Sequence, residues 1–163
     1  MIIRKAKLSD IGVCVSIHTM CEEHEAKDAS EDERLTLNYI KKGMKNKDCT
    51  YLVAEDSKEI IGFISFIHDE WNNSISIDQL FVKPDFHGHG VGSMLLKSTF
   101  ERAKEMNARI IFLHTSKSGK KTIKFYKKNG FSIAGYIREL YGHDRESDAV
   151  VLSRRVEIAN SDR

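Results

Sequence analysis

The chain has 163 residues, 40% of them hydrophobic and 31% charged, the usage of an ordinary folded domain with enough length to bury a core. Lys and Arg number 26 against 24 Asp and Glu, a net charge of +2, too slight an excess to argue for nucleic acid by itself. The longest largely apolar stretch, Ile60 to Ile67, falls well short of the roughly 20 residues that a membrane span needs.

Met1 to Lys5 lacks the apolar run of a signal peptide, and residues 2–7 read as a short strand. Ser9 is placed to cap a helix over about residues 10–24, with Ile11, Cys14, Ile17 and Cys21 at helical spacing. Ser30 to Glu33 resembles a capping box for a second helix to about residue 45, with Leu37, Ile40 and Met44 on one face. Residues 50–55, 59–68 and 73–83 read as three strands joined by short polar turns, an antiparallel meander. A glycine cluster follows, and then a helical pattern in Leu95, Leu96, Thr99, Phe100 and Ala103. Residues 109–115 form the next strand, which makes a strand, helix, strand unit with a right-handed parallel crossover. A lysine-rich helix over about 119–129 stops at Asn129-Gly130. Two strands near 131–138 and 148–156 close the chain. The expected class is α+β: a mixed sheet of about seven strands, antiparallel in its first half, with a parallel pair at strands four and five and about four helices. With no repeat and no Gly/Ser-rich linker, residues 1–163 read as one domain. Cys14, Cys21 and Cys49 form an odd set without CxxC spacing, the pattern of reduced thiols in a cytoplasmic protein.

The segment Val82-Lys83-Pro84-Asp85-Phe86-His87-Gly88-His89-Gly90-Val91-Gly92 lies between a strand and a helix. Its glycines permit positive φ and close approach, and the helix's first-turn amides can converge on an anion such as a pyrophosphate. The same residues also suit a tight strand-to-helix turn that binds nothing. GxGxxG fails because its third glycine position is Ser93, and GxxxxGK[ST] is absent.

The stretch from Ile77 to Leu96 resembles the acyl-CoA-binding motif of the GNAT superfamily of N-acetyltransferases, [Q/R]-x-x-G-x-[G/A] after a strand of the type L-x-V-x-P. Here the strand is Leu80-Phe81-Val82-Lys83-Pro84, and the loop is His87-Gly88-His89-Gly90-Val91-Gly92. Phe125-Tyr126-Lys127-Lys128-Asn129-Gly130-Phe131 is similar to the family's FYxxxGF helix end. The resemblance implies a sheet split between its fourth and fifth strands, with acetyl-CoA as co-substrate and an amine as acceptor. It implies cofactor contacts from the backbone of Leu80, Phe81 and Val82 and from His87, Gly88, His89, Gly90, Val91, Gly92 and Ser93. Tyr126 would lie near the thioester sulfur. Two positions depart from the pattern. His87 stands where Gln or Arg is usual, and Gly119 stands where the family often has an Asn that contacts the cofactor; Ser118 or Lys120 would have to replace it.

Acetyl transfer needs a neutral amine, a donor for the oxyanion and an acid for the leaving thiolate. Tyr126 is the candidate acid, since a phenol is protonated at neutral pH; the alternative is a tyrosine whose ring simply packs on the sheet. Asp78 is the candidate base, directly or through water, at the strand position where polyamine-acetylating members of the family carry Glu. A solvent-facing or lysine-paired carboxylate is the other reading. A backbone amide around Leu80 or Phe81 would serve the oxyanion.

Seven acidic residues in 22–33, Glu22 and Glu25 among them, would favour a cationic acceptor in a region that borders the family's acceptor site. Tyr136 and Tyr141 lie in a tail similar to that of the ribosomal-protein alanine acetyltransferases and point instead to a peptide amine. The two clues stay in conflict. Six lysines in 117–128 offer a partner for the CoA 3′-phosphate or a solvated helix face, and Trp71 is an exposed contact or a cover for the core edge. His87 and His89 lack the further ligands of a zinc site, so no metal is expected. Neither nucleic acid nor membrane is an expected partner, while a homodimer, common in the family, is open. A non-catalytic acyl-CoA-binding regulatory domain on the same fold is the competing class, to which the His87 and Gly119 departures leave room.

Overall fold

In the computed structural model, which describes residues 1–25, 33–143 and 147–157, the elements follow the expected order. They are β1 (Ile2–Lys5), α1 (Ile11–Glu25), α2 (Glu33–Lys45), β2 (Cys49–Asp56), β3 (Glu59–Asp69), β4 (Ser74–Val82), α3 (Val91–Glu105), β5 (Ile110–Ser116), α4 (Lys120–Lys128), β6 (Ser132–Ile137) and β7 (Ala149–Arg155). The seven strands form one mixed α+β sheet in the order β1-β2-β3-β4-β5-β7-β6. The parallel β4/β5 ladder is three residues deep, from Ser74 opposite Ile110 to Ser76 opposite Phe112. The Ser30 capping box lies outside the described residues. Among those described, no helix is long and apolar enough to cross a membrane.

The chain packs as two compact units, Met1–Ile67 with Ile77–Thr99, and His68–Ser76 with Phe100–Arg163. In the first, Cys14, Ile17 and Cys21 of α1 meet Ile40, Val53 and Phe63, all buried. The expected stripe on α1 is therefore the core stripe. On α2 the buried set is Thr36 and Ile40, with Met44 packed on the core. Leu37 is exposed, so the helix seats on a spacing of four and four, not the three and four expected of Leu37, Ile40 and Met44. Gly43 accounts for the seating. A Cβ there would lie 2.6 Å from the Tyr51 hydroxyl oxygen, so the glycine leaves the room that the Tyr51 ring takes against the helix.

The β2–β3 hairpin turns through Ser57 and Lys58, both with positive φ, between the paired Asp56 and Glu59; two left-handed residues give the twist that a two-residue turn needs.

The entry to α1 is set by Asp10, not by Ser9. A 3-10 turn, Leu8–Asp10, precedes α1. The Asp10 carboxylate accepts a hydrogen bond from the Lys7 amide at 2.8 Å and one from Arg4 Nη1 at 2.7 Å. Arg4 Nε donates in turn to Glu55 Oε2 on β2 at 2.7 Å. The Arg4 guanidinium, and then the Lys7 amide, hold the Asp10 carboxyl below the usual carboxylate range against the opposing effect of burial. A carboxyl depressed in the folded state contributes stability above its unfolded pKa of about 3.9 and loses it as pH falls through the folded value. Asp10→Asn is therefore expected to cost about 2 kcal/mol at pH 7, with the gap to wild type closing as the medium is acidified below pH 4. Urea unfolding at several pH values checks this; a gap that does not change with pH would refute it.

In the second unit, β5 pairs β7 and β7 pairs β6, both antiparallel. Phe100, Tyr126 and Phe131 form an aromatic cluster, with ring centroids 5.9 Å apart for Phe100–Phe131 and 5.4 Å for Tyr126–Phe131. The Arg154 guanidinium lies 4.1 Å from the Phe100 ring centroid and donates to the Asn129 carbonyl at 2.8 Å. Gly130, at φ +84°, ends α4 as expected, and the amides of Gly130 and Phe131 return to the carbonyls of Lys127 and Tyr126.

Candidate functional site

Between β4 and α3 the chain makes a 3-10 turn, Pro84–Phe86, and then the glycine loop. Gly88 and Gly90 have φ of +79° and +80°. A Cβ at either would meet nothing within 4 Å, so glycine is required there by backbone conformation and not by space. The first helical bond of α3 runs from the Met94 amide to the Gly90 carbonyl at 3.0 Å. The amides of Gly88, Gly90, Val91, Gly92 and Ser93 have no acceptor among the described residues. One turn thus presents five orphan donors at the positive end of a 15-residue helix, an arrangement that fits an anionic diphosphate.

The imidazole of His87 turns back to the end of β4. Its Nε2 lies 2.7 Å from the Val82 carbonyl and donates to it. Cys21 Sγ donates to the same carbonyl at 3.2 Å, so both lone pairs of that oxygen have partners. His89 donates through Nδ1 to the His87 carbonyl at 3.0 Å. Neither ring meets a metal-like cluster: among the described residues no group of three His, Cys, Asp or Glu could hold an ion.

Backbone alternation sorts the three candidate residues of β4. The Lys83 amide bonds the Ile61 carbonyl of β3 at 2.9 Å, and the Phe81 carbonyl faces Gly62 of β3. In an antiparallel ladder the intervening residues turn their N–H and C=O to the other edge. Leu80 and Val82 are those residues. Phe81 instead belongs to the core, where its ring sits 4.5 Å from His18 and 5.7 Å from Phe63. Of the Leu80 and Phe81 amides, that of Leu80 is therefore the one turned away from β3.

Asp78 lies at a cavity of about 570 Å³ lined by His18, Leu35, Thr36, Asn38, Tyr39, Lys42, Gln79 and Phe81 as well. Its Oδ1 accepts the Tyr39 hydroxyl at 2.7 Å, and its Oδ2 accepts the Ser65 hydroxyl at 3.3 Å. No lysine or arginine pairs with it among the described residues. The side chains of Glu22 and Glu25, expected beside the acceptor, lie outside the described residues. Tyr39, Ser65 and Lys42 escaped the sequence reading. Tyr39 is one position from the core anchor Ile40, and no motif marks it.

In the other unit, Tyr126 of α4 is 5% exposed, with its ring 5.1 Å from Phe125. Its hydroxyl makes no hydrogen bond among the described residues, and burial pushes its pKa up from the ordinary phenol value. Gly119 caps α4, accepting from the Ile123 amide at 2.9 Å. A Cβ there would come 3.1 Å from the Ser116 carbonyl. The Ser118 hydroxyl is bonded to that of Ser116 at 2.7 Å. Tyr136 is exposed, and the Tyr141 hydroxyl is 2.8 Å from His114 Nδ1. Lys117 is held by Asp148 at 3.3 Å, and Trp71 is 93% exposed.

The family model described as acetyltransferase (GNAT) family matches residues 15–131. The chain belongs to the GNAT family. Among curated proteins it is 32% identical over 110 residues to an uncharacterized N-acetyltransferase of Methanocaldococcus jannaschii, covering 61% of this chain and 48% of that one. It is 25% identical over 92 residues to a streptothricin acetyltransferase of Streptomyces lavendulae, covering 56% and 49%. The chain spans about half the length of these two relatives. An aminoglycoside 6′-N-acetyltransferase complexed with coenzyme A has the same fold, with a TM-score of 0.80 over 99% of this chain and 100% of that one at 16% identity. In this GNAT chain the two motifs read from the sequence are the glycine loop and the end of α4, and the parallel β4/β5 pair is the expected one.

Proposed function

We propose that this GNAT protein transfers the acetyl group of acetyl-CoA to a primary amine by direct attack in a ternary complex, and that it works in the cytoplasm. The five orphan amides from Gly88 to Ser93 carry the reading, because they fit the CoA pyrophosphate and have no acceptor among the described residues. The acceptor ammonium gives a proton to Asp78, directly or through water. The neutral nitrogen then attacks the thioester carbonyl carbon, with the Leu80 amide as oxyanion donor. As the C–S bond breaks, the thiolate takes its proton from Tyr126, and the amide nitrogen loses its remaining extra proton to solvent.

Asp78 is a lone carboxylate at the cavity with no cationic partner among the described residues, which supports a cationic amine over a neutral one. The names of similar proteins point both ways, to a small amine in a streptothricin acetyltransferase and to a protein amine in a ribosomal-protein alanine N-acetyltransferase of Bacillus subtilis, so the Asp78 carboxylate carries the choice of a small cationic amine. Cys14, Cys21 and Cys49 are thiols and not disulfides, which supports a reducing compartment. Burial pushes the Cys14 thiol up to about 12 and the Cys49 thiol up to about 11, so neither is a nucleophile for an acetyl-cysteine route at neutral pH.

Thiol release from acetyl-CoA, measured with a polyamine, an aminoglycoside, a lysine analogue and an alanine-ended peptide, tests the proposal. Release with one of the small amines above the acceptor-free background is the expected result. Release with the peptide alone would overturn the acceptor class. Absence of release with every acceptor, together with tight acetyl-CoA binding by calorimetry, would favour the non-catalytic binding domain.

A further inference from the structure

We propose that Tyr39 is a positioning residue for the acetyl-transfer reaction, fixing the Asp78 carboxylate toward the acceptor amine. This rests on the reading of Asp78 as the base. Asp78 is exposed on β4, and an exposed aspartate left alone turns freely about two side-chain bonds. Here each oxygen has its own donor: Tyr39 on Oδ1 at 2.7 Å and the buried Ser65 on Oδ2 at 3.3 Å. The donors come from different elements, α2 and β3, so the carboxylate is held from two directions.

Both donors are neutral. A lysine or arginine in their place would orient the carboxylate equally well but would compete with the substrate ammonium for its charge. Hydroxyl donors fix the geometry and leave the negative charge to attract and deprotonate a cation. Each carboxylate oxygen has a second lone pair, so one donor per oxygen leaves acceptor capacity for the amine or for a relaying water.

The placement of Tyr39 is itself over-determined. Ile40, the next residue, is fully buried in the core. Gly43, one turn on, has no side chain to keep Tyr51 of β2 away from the helix. α2 is thereby pinned against the sheet on one side, and Tyr39, one residue round the helix, reaches the cavity. Burial first, and then the hydrogen bond to Asp78, push the Tyr39 phenol up from its ordinary value. It stays a donor wherever the enzyme works.

The test is a double-mutant cycle of Tyr39→Phe and Asp78→Asn, read as kcat and as KM for both substrates, with single-turnover measurements at excess enzyme for the slow variants. Tyr39→Phe keeps the ring that lines the cavity and removes only the hydroxyl. It is expected to lower kcat about tenfold, short of the roughly 100-fold that a full 1 Å misplacement of a reacting group costs, with KM for acetyl-CoA and the melting temperature unchanged. In the Asp78→Asn background the same change should alter kcat less than twofold, because the carboxylate it positions is gone. Full additivity of the two substitutions, or a Tyr39→Phe enzyme within twofold of wild type, would overturn the positioning role while leaving Asp78 as base. Wild-type turnover in Asp78→Asn would remove the base reading, and the Tyr39 proposal with it.

Discussion

Glutamate in place of Gly90 should lower acetyl-CoA affinity at least about 100-fold, which corresponds to about 2.7 kcal/mol. Two effects contribute, and a second variant separates them. Gly90 has a φ of +80°, where any residue with a Cβ is strained by about 1–2 kcal/mol. No atom lies within 4 Å of where that Cβ would be, so alanine fits the space and suffers the strain alone. Gly90→Ala should therefore weaken binding only a few-fold and lower stability modestly. Glutamate adds a carboxylate beside the free amides of Val91, Gly92 and Ser93. Their positive potential would then be answered from within the chain, and the CoA phosphates would meet a like charge. Calorimetric titration with acetyl-CoA separates the cases. Equal losses in the two variants would mean that backbone conformation alone governs the loop. Undiminished affinity in Gly90→Glu would mean that this loop is not the phosphate cradle.

The loop was legible because its chemistry is written locally. Three glycines at alternate positions after a Val-x-Pro strand end, and before an apolar helical repeat, leave few backbone solutions. The α1 stripe of Ile11, Cys14, Ile17 and Cys21 was legible for the same reason, since its apolar spacing coincides with the face that the core covers. Where the sequence reading went astray, long-range contacts decided. Ser9 looks like the cap of α1 only until Arg4 and Glu55, far apart in sequence, are seen to fix Asp10. Leu37 looks like a core residue of α2 until Gly43 lets Tyr51 shift the helix's seat. His87 fills the first position of the motif, and its hydrogen bond to the carbonyl of Val82, five residues earlier, is one that no motif announces. The Tyr39–Asp78 contact spans 39 residues and joins the motif strand to a helix that no motif marks. Phe81 sits inside the motif, yet strand alternation turns its backbone to β3, which no residue pattern announces.

Tyr126→Phe should lower turnover about 100-fold, the scale of losing a general acid, while acetyl-CoA affinity stays within twofold of wild type. The ring is what α4 needs for packing: it lies against Phe125 and Phe131 and is 5% exposed. Phenylalanine keeps that packing, and the hydroxyl has no hydrogen-bond partner among the described residues to lose. The variant should therefore fold normally, and its defect should lie in kcat. The pH dependence gives a second, independent reading. An acid must carry its proton to donate it, and burial pushes this phenol above the ordinary tyrosine value. Wild-type kcat should accordingly hold on the alkaline side through about pH 9.5, because the acid is still loaded there and a higher pH only helps to free the amine. A fall in kcat centred well below that would assign the acid role to another group. Wild-type turnover in Tyr126→Phe would reduce Tyr126 to a packing residue, and protonation of the thiolate would then fall to water.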